Sequence, residues 1–295
     1  MAIAKSGLST KLAKFLKSQG MCNDGTKKGS AQIVCLRGCK INDDGSLSAQ
    51  GDPTVYTNRY EDVVVVFGTK STGSKYLECF RASAKPGKYW IEHSSYAGSN
   101  SGCPTVQPGQ YAYVRGNHRG KKAMRQAYQK PVCVIRDLNR NSRLEPTDKV
   151  DYPWDTGINI HAGGKGTYVG MNSSGCQVLW GGWTGTPWKT FYSLIYRTAA
   201  EQKLFHYAVM DFRFFGKWHD NPDERDTTYA RLYFGSTGAK VDELQELLSA
   251  KGYYPSAMKG PFGKVTDQCL RRFQKSVGLP PDGAVTPPVW DALRA

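Results

Sequence analysis

The apolar spacing of this chain changes near Asn221-Pro222-Asp223-Glu224-Arg225-Asp226, and no fold built on one period accommodates both halves. Before that stretch, short apolar runs are broken by Gly and Pro: Val63 to Phe67, Lys88 to Ile91, Tyr111 to Val114, Val132 to Ile135 and Ile158 to Ile160. Runs of that length read as strands. After it the spacing is helical. Val241, Leu244, Leu247 and Leu248 form one face, Cys269, Leu270, Phe273 and Val277 a second, and Val289, Trp290 and Leu293 a third. Thr266 is expected to cap the second helix and Thr286, followed by Pro287, to start the third.

The fold class expected is therefore α+β, with a β-rich domain followed by a compact three-helix unit. The divisions read from the pattern are residues 1–60, an N-terminal helix and loop-rich lead-in; 61–220, the β-rich domain; 221–234, a polar linker; and 235–295, the helical unit. In the lead-in, Leu8, Leu12, Phe15 and Leu16 recur at helical spacing among Lys5, Lys11, Lys14 and Lys17. Packing of that apolar face onto the core is favoured, with transient contact to an anionic membrane as the alternative.

Lys and Arg number 40 against 25 Asp and Glu, giving a net charge of +15, so the natural partner is a polyanion. The sequence has no RNP-type aromatic motif, zinc-finger spacing or recognition-helix pattern, and nucleic acid is not expected. An acidic cell envelope is favoured. The start of the chain lacks the apolar core and small-residue cleavage site of a secretory signal, so synthesis in the cytoplasm and release by another route are expected. The eight cysteines are then expected as thiols, and Cys35 and Cys39 have no second pair at zinc spacing.

One segment carries nucleophile chemistry. His161 ends a strand-like run, and Cys176 follows fifteen positions later across a glycine-rich loop closing on Ser173-Ser174-Gly175. A thiol with a pKa of about 8.5 is only a few per cent thiolate at neutral pH, so a nucleophilic Cys needs a neighbouring base. His161 can supply it. Backbone amides of Ser174, Gly175 and Cys176 are the candidates for holding an oxyanion.

Ile160-His161, Ser173-x-Gly175-Cys176 and the upstream segment Cys103 to Tyr111 together resemble the catalytic motif of L,D-transpeptidases. That resemblance spans roughly residues 60 to 215. It implies an L,D-transpeptidase-like β-rich domain, Cys176 as nucleophile, His161 as base, and the Ala162 carbonyl orienting the imidazole. Departures occur at Ser174, where the family has His, and at Ala162 and Val178, so bond specificity is not inherited. A second resemblance covers residues 235 to 295. Val241-x-x-Leu244-Gln245, Gly260-x-Phe262-Gly263, Phe273-Gln274, Gly278-Leu279-x-x-Asp282-Gly283 and Trp290-x-x-Leu293 are similar to the three-helix peptidoglycan-binding module of cell-wall hydrolases.

The resemblances imply a monomeric, phage endolysin-like peptidoglycan hydrolase that cuts stem peptides or cross-links through a Cys176 thioacyl intermediate without a cofactor. It would reach the wall after holin-type release or injection. The alternatives are an L,D-transpeptidase or amino-acid-exchanging toxin on the same peptides, a papain-like pairing of Cys176 with His206 or His219, and a catalytically dead wall-binding protein. Ser173, Trp180 and Trp183 are candidates for the substrate groove. Tyr253, Tyr254, Arg271 and Arg272 are candidates for contact with the wall. Asp137, Asn139, Asn141, Glu145 and Asp148 sit at the spacing of a calcium loop, against the alternative of a polar surface turn.

Overall fold

A computed structural model describes residues 2–93, 102–154, 157–220, 230–256 and 258–295. In chain order the elements are β1 (Ala2–Ile3), α1 (Leu8–Ser18), β2 (Ser30–Arg37), β3 (Cys39–Ile41), β4 (Leu47–Ala49), β5 (Asp62–Thr69), β6 (Lys75–Ser83) and α2 (Lys88–Glu92). Next come β7 (Pro104–Val106), β8 (Gly109–His118), β9 (Lys121–Gln126), β10 (Val134–Arg136), β11 (Lys149–Asp151), β12 (Ile160–Ala162), β13 (Gln177–Leu179) and α3 (Thr186–Ser193). The chain ends with β14 (Phe205–Asp211), α4 (Phe212–Asp220), α5 (Ala239–Ala250), α6 (Lys264–Ser276) and α7 (Pro287–Arg294).

Eight strands close into a mixed barrel in the order β12-β13-β6-β5-β2-β14-β8-β9. Two neighbouring pairs, β12 with β13 and β14 with β2, are parallel. A barrel this small is filled by its own side chains. Ile33, Val64, Val66, Phe80, Tyr111, Tyr113 and Tyr207 occupy the interior. The outer faces of β2, β5 and β14 are covered as well, because Leu8, Leu12, Phe15 and Leu16 of α1 and Phe212, Phe215 and Trp218 of α4 pack onto Val34, Leu36, Val63, Val65 and Met210. The apolar face of α1 is therefore committed to the core.

Burial on both faces explains why β2 escapes a search for alternation: all eight of its residues are buried. The span read as a loop-rich lead-in thus supplies a central barrel strand between β5 and β14. Lys88 to Ile91, read as a strand, lies instead in helix α2. Its four residues fit either period, and Gly87 in extended conformation starts the helix. The Asn221 to Asp226 stretch lies outside the described residues.

The C-terminal unit packs α5, α6 and α7 around Val241, Leu244, Leu248, Leu270, Phe273, Val289, Trp290 and Leu293. Thr286 is the N-cap of α7 as expected, but α6 starts after Gly263, so Thr266 lies inside the helix. There its hydroxyl accepts from Gln245 Nε2 at 3.1 Å. This unit shares a continuous core with the barrel. Gln110 N donates to Phe234 O at 2.8 Å, Thr237 N to Gly20 O at 2.7 Å, and the Trp290 indole to Ala230 O at 2.8 Å. Tyr152 Oη donates to Asp267 Oδ2 at 2.5 Å, and Arg271 Nε reaches the same oxygen at 2.7 Å.

Candidate active site

Parallel pairing of β12 with β13 builds the site. Ile160 lies opposite Gln177 and His161 opposite Val178, so Cys176, one residue before β13, falls beside Asn159. Gln177 N donates to Asn159 O at 2.8 Å and fixes that register. The β8–β9 hairpin flanks β12 on its other side, where Met124 pairs with Ile160. Arg119 and Gly120 both have positive φ, 48° and 78°, the backbone twist of a tight two-residue hairpin turn. That turn leaves His118 at the end of β8, over the same opening.

Sγ of Cys176 and one ring nitrogen each of His118 and His161 lie within 4.8 Å of one another. They line a cavity of about 340 Å³ together with Trp90, Arg119, Lys121, Asn172, Ser174 and Trp183. The two imidazoles stack with centroids 4.3 Å apart and planes 8° from parallel. Trp183 stacks on the other face of His161 at 5.7 Å and carries Lys121 Nζ above its ring at 5.1 Å.

His161 Nδ1 donates to Ala162 O at 2.9 Å, which leaves Nε2 as a lone-pair acceptor. Burial pushes the His161 pKa from 6.5 down to about 4, so the ring is neutral at physiological pH. Burial also pushes the Cys176 thiol up to about 11. The resting pair is therefore thiol and neutral imidazole rather than a preformed ion pair. In this state the thiol donates to Gly157 O and accepts from Asn159 N, both at 3.5 Å, and no hydrogen bond joins it to either imidazole.

Gly175 has φ +136°, and a Cβ there would stand 2.7 Å from Pro104. The loop can reach Cys176 only with glycine at this point. The upstream Cys103 to Tyr111 segment thus meets the Cys loop through Pro104. Gly175 N is already bonded to Ser173 Oγ at 3.1 Å. Ser174 N and Cys176 N remain as the amides of this loop without a partner among the described residues, so two of the three candidate oxyanion donors are available.

Of the groove candidates, Trp183 lines the cavity and the other two do not. Ser173 is buried and donates to Cys176 O at 2.7 Å, a loop-shaping role. The Trp180 indole donates to Lys165 O at 3.0 Å, and Arg81 lies over its ring. His206 pairs with Asp24 at 3.0 Å and His219 with Asp220, and neither reaches this cavity. His118 carries no local sequence signature, and the β8–β9 hairpin brings it to the cavity. Its Nδ1 is held by the Asn159 side-chain amide at 2.9 Å.

A metal shared by both imidazoles does not fit this arrangement. Nitrogen lone pairs lie in the ring planes, and two nearly parallel planes do not meet at a common ion. In the acidic loop, Asp137 accepts from Asn141 N at 3.2 Å and Ser142 N at 2.9 Å. Asp148 accepts from Glu145 N at 2.9 Å, and Asn139 Nδ2 donates to Glu145 at 3.1 Å. Burial, and after it the charges of Asp137 and Glu145, push the Asp148 carboxyl upward, so the loop holds three carboxylates close together within a hydrogen-bonded turn.

In the helical unit, Tyr254 is buried and Arg271 is locked to Asp267, whereas Arg272 is exposed. Residues 237–293 match the family model described as a putative peptidoglycan binding domain. No curated protein and no solved structure matches the chain at a significant level. An α+β chain with a β-rich region thus carries at its C-terminal end a peptidoglycan-binding domain, which gives it peptidoglycan as a partner and ties it to the cell wall.

Proposed function

We propose that the barrel is a cysteine-dependent peptidase of peptidoglycan stem peptides, with Cys176 as nucleophile and His161 as base. The observation that carries this reading is the convergence of Cys176, His161 and His118 on one cavity in a chain that also binds the wall. His161 Nε2 takes the thiol proton as Sγ attacks a peptide carbonyl carbon, and the oxyanion is received by the Ser174 and Cys176 amides. The C–N bond then breaks, the proton passes to the leaving amine, and a thioester remains on Sγ. Water releases the acid and restores the thiol; an amine in its place would give transpeptidation.

A second reading, a wall-binding protein with an idle barrel, is favoured by one observation. The Cys176 thiol rests on Gly157 O rather than on an imidazole. Muropeptide mass spectrometry of purified sacculi separates the two. New fragments are expected with the unsubstituted protein and none with Cys176→Ala; identical profiles would leave the second reading standing.

A further inference from the structure

A buried guanidinium that makes no ion pair among the described residues lines the interdomain cavity, alongside the carboxylates of Glu145, Asp211, Asp267 and Asp282. Arg37, the last residue of β2, is only 5% exposed, yet its single hydrogen bond is a long one, Nη1 to Val106 O at 3.4 Å. Its Nε has no partner, and no carboxylate stands within ion-pair distance of it among the described residues. Asp62, on the adjoining strand one position beyond the Leu36–Val63 pair, spends its two oxygens on Gly38 N and Ala84 N. Asp211, beside Arg37 in the parallel register of β14, accepts from Arg213 N. A desolvated charge left in this way is costly unless something supplies the counter-charge.

The cavity that Arg37 lines is about 370 Å³, large enough for a short peptide end. One wall comes from Arg37 at the end of barrel strand β2, Pro108 just before β8, and Ile135 of β10, which pairs with β7 and β11 outside the barrel. The other comes from the peptidoglycan-binding domain, through Arg271, Gly283 and Thr286. The module-side Arg271 is already matched by Asp267 at 2.7 Å, so it does not compete for an incoming anion. Arg231, the third guanidinium of the lining, lies over Phe214 at 3.9 Å.

We infer that this cavity binds a peptide α-carboxylate on Arg37, and that the ligand is the free C-terminal end of a wall stem peptide. The planar fork of a guanidinium suits a carboxylate bidentately, and the wall-binding domain that closes the cavity presents this ligand class. The site is separate from Cys176. It rests on the wall as partner and not on thiol chemistry, so it stands whether or not the barrel is catalytic.

The test is calorimetric titration of the full chain carrying Cys176→Ala with a soluble stem tetrapeptide and with its C-terminal amide. The acid is expected to bind at least about ten-fold more tightly than the amide, because a charge-assisted bidentate pair is lost in the amide. Arg37→Met is expected to abolish that preference while leaving the melting temperature unchanged or higher, since an uncompensated buried charge is removed. Equal binding of acid and amide would overturn the inference, and so would full preference in Arg37→Met. Saturation by inorganic phosphate with no response to the peptide would also overturn it. Should Arg37→Met fail to fold, the acid and amide comparison on the Cys176→Ala chain decides alone.

Discussion

The imidazole of His118 lies flat on that of His161, with centroids 4.3 Å apart. Each ring has its Nδ1 engaged, by Asn159 and by Ala162 O respectively. A proton on one ring raises the cost of a proton on the other, and His118 contributes to the depressed His161 pKa. His161→Gln is expected to lower turnover by about 10²–10⁴-fold, the usual contribution of a general base. His118→Gln is expected to cost less and to shift the acid limb of the pH–rate profile to higher pH, because the repulsion on His161 is relieved. The reverse ranking would assign the base to His118, held by Asn159.

His161 also couples folding to pH. Its pKa falls from 6.5 unfolded to about 4 folded, so between those values the unfolded chain binds more protons. The stability it confers is complete above 6.5 and is lost as pH falls through 4, amounting to about 3 kcal/mol. Urea unfolding at pH 7 and pH 4.5 should show a smaller acid loss in His161→Gln than in the unsubstituted protein. Equal losses would mean that the imidazole is not buried in its neutral form.

Gly175 and Pro104 are in close approach, with positive φ at Gly175 and 2.7 Å of room for a Cβ. Gly175→Ala should cost about 1–3 kcal/mol and displace Cys176. Thermal unfolding checks the first expectation. The second is checked by activity falling further in this variant than in a surface variant of equal stability.

Tyr152, which follows β11, and Asp267 tie the β-rich region to the wall-binding domain through a 2.5 Å hydrogen bond to a buried carboxylate. Asp267→Ala strands Arg271 and should destabilise by about 3–5 kcal/mol. Tyr152→Phe leaves the Asp267–Arg271 pair intact and should cost about 1 kcal/mol. Calorimetry is expected to show a lowered transition for both, larger for Asp267→Ala; equal effects would mean that the pair contributes nothing at the interface.

The pairing of Cys176 with His161 is legible because a strand end, a glycine-rich loop and a cysteine lie within one short span. Parallel pairing of β12 and β13 is not, since it depends on partners distant in sequence, and His118 arrives from a hairpin with no motif of its own. Strand β2 was hidden by burial on both faces, and α2 by its shortness. Arg37 reads in the sequence as one basic residue among 40, and its isolation exists only in the packed state.

Intact-protein mass spectrometry during incubation with a soluble stem peptide tests the central claim most directly. An adduct equal to the acyl portion of the peptide, localised to Cys176 and released by hydroxylamine, is the result expected of the unsubstituted protein. The adduct should be absent in Cys176→Ala and should form slowly in His161→Gln. Peptide cleavage undiminished in Cys176→Ala, or an adduct on another residue, would contradict it.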